Sequence, residues 1–189
     1  MLLSVSAYVR LPLPLPIALR RFGEWIALPE IELPRRVRSR DTFDLVCTEN
    51  NEWRGVAVFA HEANGWSVFD DYTGYLGSLP AERWISLAGD VELVFAGYND
   101  SVPYGQLVVV REGRIVREFL HDLQDPSSNV NHGRLELERS KLIDDWVDAA
   151  WFVDSDELSD EAADEGTLLL YRSDGSLGGF FAAAPTDED

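Results

Sequence analysis

Cysteine occurs once, lysine once and histidine three times in this 189-residue chain, and each scarcity removes a class of chemistry. A lone Cys47 excludes an internal disulfide. It falls in the apolar stretch Phe43–Thr48, predicted as a strand, and reads there as a small buried hydrophobe rather than a nucleophile. With Lys141 as the only lysine, no glycine-rich loop carries the lysine that a phosphate cradle needs. His61, His121 and His132 lack the spacing of a ligand pair such as His-Glu-x-x-His. Asp154-x-Asp156 opens like a calcium loop, but the glycine at the sixth position is missing. No apolar run reaches the roughly 20 residues of a membrane span. Met1–Pro16 is apolar without a basic leader or a small-residue cleavage site, so it is expected to form a strand and an extended arm rather than a signal peptide. No cofactor and no catalytic constellation is implied.

Basic side chains are also few. There are 16 Lys and Arg against 34 Asp and Glu, a formal charge of −18. Such a surface repels nucleic acid and anionic membrane, and it suits a basic protein partner or plain solubility. The imbalance is uneven. Residues 1–40 hold seven Arg and three Glu, so nine basic and 31 acidic side chains fall after them. Arg35, Arg36, Arg38 and Arg40 are expected to dock on the acidic remainder of the same chain. From Ile143 to Glu165 there are ten carboxylates and no Lys or Arg.

Apolar content of 46% with 11% aromatics predicts one α+β domain over residues 1–189, mainly an antiparallel meander with about three helices laid on it. Alternate prolines make residues 11–16 extended and lead into a helix whose Ala18, Phe22, Trp25 and Ile26 share a face, with Pro29 at its end. Glu30–Arg40 is a polar connection or edge strand. Arg54–His61, Gly65–Phe69, Val91–Tyr98, Gln106–Val110 and Arg114–Leu120 read as strands. Between the second and third, Pro80 opens a helix burying Ala81, Trp84, Ile85 and Ala88, stopped by Gly89. His121–Gly133 is a long polar loop and a candidate functional one. Arg134–Glu138 alternates like a half-exposed strand. Ser140 is placed to cap a helix from Lys141 to about Val153, with Ile143, Trp146, Val147 and Ala150 buried. Asp154–Glu165 is an acidic loop, Thr167–Tyr171 and Leu177–Phe181 form a last hairpin, and Pro185–Asp189 is a frayed tail.

Two features bear on function. Tyr72, Tyr75, Tyr98 and Tyr104 stand beside Asp70, Asp71, Asn99 and Asp100, which is the composition of a binding surface and equally of rings that cap a core. The run Val94-Phe95-Ala96-Gly97-Tyr98-Asn99-Asp100, with Pro103-Tyr104-Gly105, Arg117-Glu118-Phe119-Leu120, Asn129-Val130-Asn131 and Trp146 through Asp154, resembles bacterial immunity-type proteins encoded beside polymorphic or contact-dependent toxins. The likeness covers roughly residues 50–160. It implies an antitoxin that binds one cognate toxin domain in the cell's own cytoplasm, and it supplies no catalytic residues. A basic toxin would meet Asp122, Asp125, Asp144, Asp145, Asp148, Asp154, Asp156, Glu157, Asp160 and Glu161, with Tyr98 and Tyr104 as rigid anchors. Those acids read equally as a solvated helix face and an acidic loop. Two other classes stay open: an enzyme with a pocket joining His121, His132 and Asp125, and an assembly subunit with an exposed apolar patch.

Overall fold

Among the described residues, the nine strands of the computed structural model join in one sheet. The structure describes residues 6–50, 52–155 and 164–173. The strands are β1 (Ser6–Leu11), β2 (Glu30–Arg38), β3 (Val56–Ala63), β4 (Trp66–Asp71), β5 (Leu93–Asn99), β6 (Tyr104–Arg111), β7 (Arg114–Asp122), β8 (Val130–Gly133) and β9 (Glu165–Tyr171). Their order is β2-β9-β3-β4-β1-β5-β6-β7-β8, and every ladder is antiparallel. Four α-helices accompany them: α1 (Leu15–Ile26), α2 (Thr42–Val46), α3 (Glu82–Ala88) and α4 (Trp146–Ser155). The class is α+β, as the apolar periodicities predict.

Alternation along the strands sends two sets of side chains to opposite faces. On one face Val9, Leu11, Val58, Phe69, Phe95 and Val108 pack against α1 and α3. Phe22 of α1 stacks on Phe69 with centroids 4.5 Å apart, and Trp84 of α3 stacks on Phe95 at the same distance. On the other face Tyr8, Val68, Val94, Leu107 and Phe119 pack with Ala149, Phe152 and Val153 of α4. A smaller cluster of Val46, Trp53, Ala57, Leu168 and Leu170 seats α2 beside β3 and β9.

Several expected elements differ. The meander is broken twice, because β1 lies between β4 and β5 and β9 between β2 and β3. Short connections make hairpins probable neighbours in sequence, but a terminal strand is free to insert wherever a ladder is open. Both sides of β9 are thereby occupied; Leu177–Phe181, its expected hairpin partner, lies outside the described residues. Phe43–Thr48 is helical through Val46, with Thr42 and Val46 buried one turn apart; only Cys47 keeps a β-bridge, to Trp53. A short apolar run does not by itself distinguish helix from strand. In α3 the buried set is Trp84, Leu87 and Ala88 rather than one including Ile85, which is half-buried. The loop expected over His121–Gly133 contracts to residues 123–129, since β7 runs on to Asp122 and β8 begins at Val130.

The loop after β4 is fixed by a buried carboxylate. Asp71 Oδ1 accepts from the backbone N–H groups of Thr73 and Gly74 and from the Thr73 hydroxyl, while Oδ2 accepts from the N–H of Leu76 at 2.7 Å. Burial pushes this carboxyl above the usual range against the pull of those four bonds. The folded state therefore holds the proton more tightly than the unfolded chain. Stability falls as pH rises from the unfolded value of about 3.9 through the folded one, and is level above it. Urea midpoints across acidic pH should show that downward slope in the difference between wild type and Asp71→Asn. A difference that rises with pH would contradict the assignment.

Candidate functional site

The segment from β8 to α4 carries the candidate acids, and a buried ion pair fixes it to the sheet. Arg117 of β7 is fully buried, in phase with Phe119 on the core face. Its Nε donates to Glu138 Oε2 at 2.9 Å and Nη2 to Glu138 Oε1 at 3.0 Å, a bidentate pair. Nη1 donates to Asn131 Oδ1 (2.8 Å) and to the carbonyls of His132 (3.1 Å) and Glu118 (3.2 Å), and Nη2 also reaches the carbonyl of Ile143 at 2.9 Å. Glu138 in turn accepts from the N–H groups of Leu135 (2.7 Å) and Ile143 (3.3 Å). Burying a guanidinium and a carboxylate is tolerable only when their hydrogen bonds are met in this way.

That pair explains two departures from the expected secondary structure. Arg134–Glu138 is not a strand: residues Glu136–Arg139 form a 3₁₀ turn that brings the Glu138 carboxylate under β7. The following helix begins at Trp146 rather than Lys141, because both backbone groups of Ile143 are committed to Glu138 and Arg117. Ser140 caps nothing; its hydroxyl donates to the Leu137 carbonyl.

Asp145 and His121 provide the cap instead. The N–H of Asp148 donates to Asp145 Oδ1 at 2.9 Å, and the N–H of Trp146 donates to His121 Nδ1, also at 2.9 Å. The proton of neutral His121 is thus on Nε2. Asp148 Oδ2 accepts from the N–H of Asp144 at 3.1 Å. The buried stripe of α4 is rotated from the expected one: Ala149, Phe152 and Val153 face the sheet, and Val147 is 52% exposed. The reason lies beneath the helix. A Cβ on Gly105 would stand 2.7 Å from Ala149 Cβ and 2.8 Å from Trp146 Cα, so the missing side chain is what lets α4 settle with that face inward.

The candidate acids differ in what already holds them. Asp122 and Asp125 spend themselves on their own loop: Asp122 Oδ1 accepts from the N–H groups of Gln124 and Asp125, and Asp125 Oδ1 from the N–H and hydroxyl of Ser127. Asp144 is paired with Arg134 at 3.0 Å and accepts from Asn131 Nδ2, and the Arg134 bond, then the Asn131 bond, hold its carboxyl below the ordinary range. Asp145 and Asp148 have backbone partners but no cation among the described ion pairs. Asp154 falls in the last turn of α4, which ends at Ser155; Asp156, Glu157, Asp160 and Glu161 lie outside the described residues. In the basic block at the other edge of the sheet, Arg36 pairs with Glu165 of β9, in the acidic remainder of the chain, while Arg35 pairs with Glu32 and Arg40 with Asp41 close by in sequence.

The two tyrosines of the candidate surface are strand residues on opposite faces. Tyr98 packs half-buried beside the α4 cluster. Tyr104 faces the other way and donates its hydroxyl to Gln106 Oε1; burial, with Asp122 second, pushes that hydroxyl well above its usual range. Tyr104 also lines a cavity of about 250 Å³ with Ala7, Gly77, Phe95 and Asn99. His121 is taken up by α4 and His132 is exposed on β8, and among the described residues no group of three His, Cys, Asp or Glu gathers as a metal site would require. The sequence reading overlooked Arg117 and Glu138; the available signal was a charged residue two positions before Phe119, on its core-facing side. Among the described residues no helix is long and apolar enough to cross a membrane. Compared with protein-family models, curated proteins and solved structures, the chain matches none.

Proposed function

We propose that this chain is an immunity-type protein that binds and neutralises a cognate bacterial toxin domain, meeting a basic surface with fixed negative charge. The observation that carries this reading is the locked mounting of its acids. Arg117 and Glu138 tie residues 131–143 to β7, and the next residues present Asp145 and Asp148, which no arginine neutralises among the described residues. Charges held this way lose little entropy on binding, and they steer a positively charged partner during encounter. The net charge of −18 adds a long-range field of the same sign. Asp122 and Asp125 take a smaller part in this reading, since their oxygens already serve the loop.

The test is stopped-flow mixing with the product of the neighbouring toxin gene across ionic strengths. Steered association should slow by about tenfold or more between low and high salt, as charge-guided encounters do. Growth rescue of cells expressing that toxin should follow the same complex. An association rate indifferent to salt would remove the acidic surface from the account, and the absence of any complex or rescue would remove the immunity reading.

A further inference from the structure

Helix α4 is apolar on two sides, and only one is used by the sheet. Ala149, Phe152 and Val153 are buried, while Val147 and Trp151, one turn apart, stand outward at 52% and 41% exposure. Leu137 and Leu142 are also exposed, and Leu142 lines an open cleft of about 600 Å³ with Arg134, Leu135 and Arg139. A helix apolar all round is ordinarily covered all round. The exposed indole already acts as a seat for a cation: the ammonium of Lys141 lies 3.8 Å from the Trp151 ring centroid. Three residues before Trp151 on the same helix, and so one turn away, is Asp148, which has no cationic partner among the described ion pairs.

Resting on the immunity reading above, we infer that the outward face Val147–Trp151 is the anchor of the toxin contact. Its occupant is a basic protein surface presenting an arginine or lysine beside an apolar side chain. The apolar group covers Val147. The cation replaces Lys141 over the Trp151 ring and pairs with Asp148. Charge selects this occupant over a second copy of the chain, because an isologous contact through α4 would set Asp144, Asp145 and Asp148 against their own duplicates. Tryptophan is also among the residues enriched at binding hot spots.

The experiment measures affinity for the neighbouring gene's toxin with Trp151→Ala, Val147→Asp, Asp148→Asn and Lys141→Ala, using Leu33→Ala on β2 as a remote exposed control. Trp151→Ala should weaken binding by about 30-fold or more, the scale of a hot-spot truncation. Val147→Asp should do likewise, and Asp148→Asn should mainly slow association. Lys141→Ala should tighten binding, since it vacates the seat the partner's cation takes. Val147 and Trp151 are exposed and Lys141 and Asp148 half-buried, and the melting temperature of each variant separates these effects from unfolding. Full affinity in both Trp151→Ala and Val147→Asp would overturn the inference while the immunity reading stood. So would wild-type self-association that Trp151→Ala abolishes. No complex with any variant or with wild type would sink both readings together.

Discussion

Arg117→Ala lowers the unfolding free energy by about 3–5 kcal/mol, the cost of leaving a buried carboxylate without its buried bidentate partner and with only the half-exposed Arg134 at 3.3 Å. The magnitude follows from how many groups the guanidinium serves. Glu138 loses both its bidentate bonds, and Asn131 Oδ1 and the carbonyls of Glu118, His132 and Ile143 lose a donor. Arg117→Lys should recover little, because an ammonium has no planar fork to meet both oxygens of Glu138. The informative variant is Arg117→Met with Glu138→Leu. For an isolated ion pair such a swap is often neutral. Here it should remain destabilised, since Leu135 and Ile143 would lose the acceptor of their N–H groups as well. Chemical denaturation of the single and double variants gives these values directly. A fully stable double variant would mean that the backbone of residues 131–143 is not held through this pair.

The same substitution connects stability to function. Beyond β8, residues 134–148 are held to the sheet by the Arg117 cluster, by Leu135 and Ile143 in the core and by α4, so loosening the first weakens the mounting of the acidic corner while leaving its carboxylates in place. In the proposed reading, an Arg117 variant studied at a temperature where it is still folded should keep its salt-dependent encounter with the toxin, because the carboxylates remain and loss of the guanidinium only makes the field more negative. Its complex should dissociate faster, because Asp145 and Asp148 are then ordered only on binding.

The strands were legible because they combine β-branched and aromatic residues with turn pairs at Asn64-Gly65 and Glu112-Gly113, where the chain does take positive φ. Helix α1 was legible because Ala18, Phe22 and Ile26 repeat at helical spacing behind a proline that fits the first turn. Errors gathered where a long-range contact outweighed local pattern. The alternation of Arg134–Glu138 is that of a strand, but a carboxylate that neutralises Arg117 cannot be reached from an extended chain in that position. Lys141–Asp145 has helix-forming residues, but the backbone of Ile143 is already bonded elsewhere. The placement of β1 and β9 within the sheet has no local signature, because either strand would satisfy any open antiparallel ladder with a matching apolar face. The acids of the candidate surface were visible as composition. Which of them are free of partners is decided by Arg134, Asn131 and the turn geometry, and these act across gaps of several residues.

Gly105→Ala should cost about 1–3 kcal/mol, the range for forcing atoms into a filled core. The new methyl would meet Ala149 Cβ at 2.7 Å, Trp146 Cα at 2.8 Å and the Trp146 carbonyl oxygen at 3.1 Å. Two of the three are backbone atoms, so no rotamer change relieves the contact and α4 itself must move outward. Adding Ala149→Gly should return only part of the loss, since it removes the nearest atom and leaves Trp146 in place. Gly77→Ala is the control: its methyl would find its nearest neighbour, the Tyr104 hydroxyl, at 3.5 Å, an ordinary contact. Thermal and urea unfolding of the three variants measure these costs, and hydrogen exchange in α4 locates them. A neutral Gly105→Ala would show that the helix is not seated on the sheet by this close approach. Because Asp145, Asp148, Val147 and Trp151 ride on that helix, a displaced α4 should also weaken the toxin complex by more than the stability loss alone explains. Its carboxylates and indole would remain chemically intact and stand away from the positions at which a rigid partner meets them.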